Sequence, residues 1–334
     1  MAAAQAFVLA ALTLSHLVTP GVIIALSFVL GLVNAFDMPG RQAFVIQMIE
    51  DPADLGNAIA LNSLLVNGAR LVGPALAGVL IAELGEGVCF ALNGASYLAV
   101  IIALLAMRIV KRSSARVSQT VLKDLREGFA YAFGFPPIRD VLGALALSSL
   151  MGMSFVTVMP VFAGEVLGGS SRTLGLLLGA TGLGAVSAGT VLAARRTVRG
   201  LGRVIAAGAA VFGAALCAEG FVHTVTPAVL VMAVVGLGMM LQIASSNTIL
   251  QTLVDDDKRG RVMSLYAMAF LGMTPFGSLI AGALAETIGV QPALRISGLC
   301  CLIGGIIFAL RLPVLRRLSR PIYVRKGIIP GVEG

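Results

Sequence analysis

Charge is what this sequence has least of. Asp, Glu, Lys and Arg make up 12% of its 334 residues, against 58% apolar residues and a mean hydropathy of +0.97. So little polar surface cannot cover a water-soluble globule of this size, and lipid is therefore the solvent the composition requires. Strict alternation of apolar and polar residues is lacking too. A stretch such as residues 88–109 is apolar on every side, which excludes the strands of a membrane barrel. Apolar runs of the roughly 20 residues that a spanning helix needs recur instead, separated by short segments rich in Gly, Pro, Arg and Asp. The fold class is all-α: a polytopic membrane protein with about ten transmembrane helices, four and then six.

Other absences exclude whole function classes. Only four cysteines occur, Cys89, Cys217, Cys300 and Cys301, all inside or at the edge of apolar runs and without metal-site spacing, so they read as small hydrophobes. No nucleophile motif, no metal-ligand pair on one helix face and no phosphate-cradling loop is found. The reading is not an enzyme, with no catalytic residues, no cofactor, no metal and no ATP hydrolysis within this chain. The net charge of +8 is not gathered into a basic stripe with interleaved aromatics, which argues against a nucleic-acid partner. The N-terminus lacks the positively charged opening of a secretory signal, so its apolar run is expected to be a spanning helix.

What is present is a regular series of apolar segments. Helices are expected near residues 1–17, 21–49, 57–82, 87–107, 140–163, 173–194, 203–221, 227–253, 262–285 and 293–311. If alternate connections face the cytoplasm, one set of connections should hold the Lys and Arg excess. It does: seven basic residues fall in 108–139, four in 195–203, three in 258–261 and six in 311–326, while the opposite set holds only Arg172 and Arg295. The C-terminus is accordingly expected in the cytoplasm. Four regions follow: an incomplete N-terminal bundle (1–107), a cytoplasmic linker (108–139), a six-helix bundle (140–311) and a basic cytoplasmic tail (312–334). Within the linker, residues 121–135 read as a short helix with Leu122, Leu125, Phe129 and Phe133 on one side. That helix either lies along the inner membrane surface or is a plain solvated linker.

The chain also repeats itself at an offset of 204 residues. Gln47 matches Gln251, Asp51 matches Asp255, Gly56 matches Gly260, Gly73 matches Gly277, Gly78 matches Gly282 and Gly85 matches Gly289. Parallel repeats of six-helix halves are a plan of secondary transporters, with substrate bound near the bilayer midplane. On that plan two helices are expected ahead of the first one seen.

Three segments resemble the major facilitator superfamily, and within it bacterial exporters of the enterobactin and macrolide-efflux type, the transmembrane secretion effectors. They are residues 31–41 (GLVNAFDMPGR), 67–78 (NGARLVGPALAG) and 90–97 (FALNGASY). The resemblance covers essentially the whole chain as helices three to twelve of twelve. Gly73, Pro74 and Gly78 look like the glycine-proline motif of family antiporters. The resemblance implies export of a small amphipathic molecule, a drug, siderophore or similar, by alternating access in exchange for protons at the cell inner membrane. A non-transporting remnant or membrane partner protein is the alternative.

Polar residues inside apolar helices are the candidates for function, because charge at mid-membrane needs a partner or a watery cavity. Asp37 and Arg70 are expected to meet across helices, as a structural ion pair or as a gate, unless Asp37 pairs with Arg41 on its own helix. Asn34, Gln242 and Ser246 are candidates for a substrate-facing wall. Met239 and Phe270 would add adaptable apolar surface.

Overall fold

The computed structural model describes residues 1–47, 69, 73, 77, 80–81, 83–107, 121–195, 197–255 and 258–325. Among these the only regular elements are helices, and they form two compact units, Met1–Val117 and Ser118–Gly334. The first unit holds α1 (Ala2–Leu14), α2 (Pro20–Gln47) and α3 (Glu86–Ala106). The second holds α4 (Val121–Gly134), α5 (Pro136–Val166), α6 (Ser171–Ala193), α7 (Leu201–Glu219), α8 (Val225–Leu253), α9 (Arg259–Ile288) and α10 (Val290–Arg325). Seven helices among the described residues are long and apolar enough to cross a bilayer. The expected helix at 57–82 lies almost wholly outside the described residues.

Lipid tails are as apolar as leucine, so these helices gain little by hiding side chains and associate through close backbone packing. Glycines make that approach possible. A Cβ added to Gly236 of α8 would lie 1.8 Å from the Thr181 carbonyl oxygen of α6, and one on Gly184 would lie 1.8 Å from that of Ala233. Gly213 and Gly298 stand in the same relation between α7 and α10, as do Gly208 and Gly238 between α7 and α8. In the first unit Gly87 and Gly94 of α3 receive Leu14 and Phe7 of α1. The outward surface is correspondingly apolar, with Leu105 81%, Leu310 75% and Leu279 73% exposed.

The internal repeat is visible in the backbone. Gly85 before α3 has φ 80 and ψ 166, and its counterpart Gly289 before α10 has φ 90 and ψ 160. That left-handed conformation suits glycine at little cost and strains other residues. The helices that follow, α3 and α10, begin at Glu86 and Val290, again 204 residues apart.

α10 continues to Arg325, beyond the end near residue 311 that hydropathy suggests. The apolar run stops, but Leu312, Leu315 and Ser319 keep one buried face at helical spacing, so the helix persists as an amphipathic one. α4 packs against α9 through Glu127, whose carboxylate lies 2.8 Å from Arg261, and through Tyr131, whose ring centroid lies 4.7 Å from the Lys258 ammonium. Phe129 and Phe133 stack on each other on the other side of α4 and remain exposed.

Candidate functional site

The core of the second unit is split into two apolar clusters. One gathers Phe155, Met159, Phe162, Phe212, Leu216 and Met232; the other gathers Ile138, Val141, Ile205, Ile249, Leu250 and Phe308. Between them lies a polar layer. It forms where α5 and α9 depart from regular helix, at the π turns Ser148–Gly152 and Met268–Gly272. Single π turns inside α-helices distort the hydrogen-bond ladder and are common at functional sites.

Gln242 of α8 reaches across to α5, donating from Nε2 to the Ser148 hydroxyl at 2.8 Å and to the Ala144 carbonyl at 3.2 Å. The next residue, Ser149, donates to the Phe270 carbonyl of α9 and stands 3.2 Å from the Thr274 hydroxyl. Thr274 donates to the same carbonyl at 3.0 Å. Two adjacent serines on one π turn thus connect α8, α5 and α9 through hydrogen bonds. Close contact at this level is set by Gly277, whose added Cβ would lie 2.0 Å from the Leu150 carbonyl oxygen.

Two further hydroxyls of α8, Ser245 and Ser246, are 1% and 0% exposed, and neither has a hydrogen-bond partner among the described residues. A buried hydroxyl without a partner costs about 1–3 kcal/mol. Glu219, at the far end of α7, is fully buried, and neither carboxyl oxygen has a partner among the described residues. Beside it, Gly220 packs on the stem of Arg295, whose guanidinium sits 4.6 Å from the Phe221 ring centroid.

This polar layer sits on a chain with clear relatives. Residues 1–320 match the family described as transmembrane secretion effector. The chain belongs to the transmembrane secretion effector family. Relatives of the chain include the staphyloferrin A transporter of Staphylococcus aureus, 26% identical over 301 residues, which are 87% of this chain and 73% of that protein. The multidrug efflux pump Tap of Mycolicibacterium fortuitum is 25% identical over 311 residues, 88% of this chain and 73% of the relative. Among solved structures, a bacterial homologue of the human lysosomal transporter Spinster, inward-facing and unoccupied, superposes with a TM-score of 0.61. It is 18% identical, covering 96% of this chain and 81% of that one, a likeness that shows the fold. The chain is therefore a multi-pass membrane protein of the major facilitator superfamily, and these relatives bear the names of transporters.

Within the chain, the structure brings some sequence candidates together and leaves others apart. Gln242 and the Phe270 backbone meet through Ser148 and Ser149. Met239 is half-buried against the first cluster, and the Phe270 ring stacks on Tyr266 with centroids 6.2 Å apart. Ser246 is buried, so in this conformation Gln242 and Ser246 are enclosed by protein. Asn34 is exposed on α2, and Asp37 is half-buried. Gly73 is helical and exposed, and among the described residues nothing lies within 4 Å of an added Cβ. The Arg41 side chain and residues Arg70, Pro74 and Gly78 lie outside the described residues. Sequence reading missed Ser148, Ser149 and Thr274. Their signal was present as a Ser-Ser pair in mid-run and a Thr-Pro step at the corresponding depth of α9.

Proposed function

We propose that this protein is a secondary active exporter of small amphipathic molecules, a siderophore or drug-like compound, driven by proton exchange and working by alternating access. The observation that carries this reading is the match of residues 1–320 to a secretion family, two of whose relatives bear the names of a siderophore transporter and a drug efflux pump. The polar layer of the second unit supports the reading of a substrate-facing wall there. In the second unit Gln242 and Ser246 would supply hydrogen bonds to substrate, and Met239 and Phe270 an adaptable apolar surface; in the first unit Asn34 is proposed separately as a polar substrate contact. The hydroxyls at π turns exchange partners at low cost, which suits a surface that must open and close. Asp37 with Arg70 or Arg41 is proposed as the ion pair of the first unit, and Gly73, Pro74 and Gly78 as the segment whose close packing limits leak. The arginine-rich connections and the C-terminus are proposed to face the cytoplasm.

The test is direct. The purified full chain is reconstituted into liposomes, a proton gradient is imposed, and flux of a lipophilic cationic dye and of staphyloferrin A is followed. Flux of either compound that follows the imposed gradient, stops with a protonophore and falls in Gln242→Ala supports the reading. Gradient-independent flux, or none in a protein verified as folded, overturns it.

A further inference from the structure

A cleft of about 230 Å3 opens at the arginine-bearing end of the second unit and borders the polar layer at Ser245. Leu192 of α6, Arg195 and Thr197 of the following connection, Leu201 at the start of α7, and Ser245 and Thr248 of α8 line it. We propose that this cleft is a binding site for a phosphate group, carried either by an anionic lipid headgroup or by a free phosphate.

Its chemistry is one-sided. The polar side chains around it are a guanidinium and three hydroxyls, and no carboxylate is among the lining residues. The connection itself, residues 194–200, holds Arg195, Arg196 and Arg199 and no Asp or Glu. Arg195 spends one Nη on the Arg199 carbonyl at 2.9 Å, which fixes the side chain; a guanidinium has five N–H donors in a fork that matches phosphate oxygens. Gly200 makes that bend possible. It adopts φ +82, and an added Cβ would stand 3.5 Å from the Arg195 Nη2. The first turn of α7 borders the cleft with the positive end of its backbone dipole, which favours an anion.

The second observation is Ser245. Hydroxyls in these helices usually donate to the carbonyl one turn back, as Thr248 does to Ala244 at 3.0 Å and Thr181 to Leu177 at 3.0 Å. Ser245 does not. It is 1% exposed, lines the cleft and has no partner among the described residues. A phosphate oxygen held by Arg195 and Thr197 supplies the acceptor this hydroxyl lacks. The cleft also lies just past Ala193, where a spanning helix reaches headgroup depth, the level at which basic pockets meet lipid phosphates.

The proposal does not depend on the transport reading, and its test reads binding rather than flux. The full chain, purified in detergent, is titrated with a short-chain phosphatidylglycerol, with phosphatidylcholine of equal chain length and with inorganic phosphate, and bound species are counted by native mass spectrometry. A thiol-reactive dye verifies that each variant melts as a folded protein. One tightly held phosphatidylglycerol in preference to phosphatidylcholine is expected. Arg195→Gln and Ser245→Ala should each weaken it by roughly tenfold, and Arg317→Gln, an exposed arginine on α10, should leave it unchanged. Binding of inorganic phosphate with the same variant pattern, but of neither lipid, supports the site and assigns it to a free phosphate. Equal loss in Arg317→Gln, unchanged affinity in both cleft variants, or no binding of phosphatidylglycerol or phosphate overturns the proposal.

Discussion

One amide group joins two helices in the second unit, and its value can be measured. Gln242 donates both to a side chain and to a backbone carbonyl of α5, so removing it deletes both of these hydrogen bonds between α8 and α5. Interhelical hydrogen bonds in membranes average about 0.6 kcal/mol and reach about 1.7 kcal/mol, because the unfolded chain in lipid also finds partners. A double-mutant cycle of Gln242→Ala and Ser148→Ala, followed by thermal unfolding in detergent, is expected to give a coupling in that range; additive effects would show that the bond contributes nothing. Asp37 invites a second test at this scale. If it meets Arg70, swapping the two charges together should restore the expression or transport lost in either single swap. Absence of rescue would favour a different partner, Arg41 first. Both residues were visible as charges within apolar runs. The Ser148–Ser149 link was not, because a small hydroxyl in a helix has many harmless roles and only the facing helix reveals which one it plays.

Helix contacts in this protein are decided by backbone approach, and single methyl groups should therefore have opposite effects at different glycines. Gly236→Ala places a carbon against the Thr181 carbonyl oxygen and forces α6 and α8 apart, a strain of about 1–3 kcal/mol by the usual cost of overpacking. Gly143→Ala meets nothing within 4 Å among the described residues and should be neutral or stabilise α5 by up to about 1 kcal/mol through helix propensity. Melting temperatures moving in the same direction for both would refute the contact argument. At this scale most of the fold was legible. Nine of the ten expected segments correspond to helices in the structure, since a run of some 20 apolar residues has one economical conformation in lipid. The exceptions have local causes. The end of α10 was misplaced because its last turns are amphipathic rather than apolar, and the π turns were invisible because they arise from how α5 and α9 fit their neighbours.

For the molecule as a whole, orientation is the property that charge distribution predicts. With native cysteines replaced, a cysteine at Thr197 should react with an impermeant thiol reagent supplied from the cytoplasmic side, and one at Arg172 only from the opposite side. The reverse pattern would invert the topology and place the phosphate cleft on the outer face. Composition, run length and the Lys/Arg asymmetry were enough by themselves to establish an all-helical membrane protein, its helix order and its repeat, because lipid demands internally satisfied backbones and the repeat is written in the residues. The matching left-handed conformations of Gly85 and Gly289 show that duplication persisting in geometry. Only the tertiary structure decided which polar residues act together: that Gln242 faces Ser148, that Ser149 reaches Phe270, and that Ser245 and Arg195 line one cleft. Those pairings join residues up to 121 positions apart, and a fraction of a turn of rotation or one π residue in a helix changes every partner across its face.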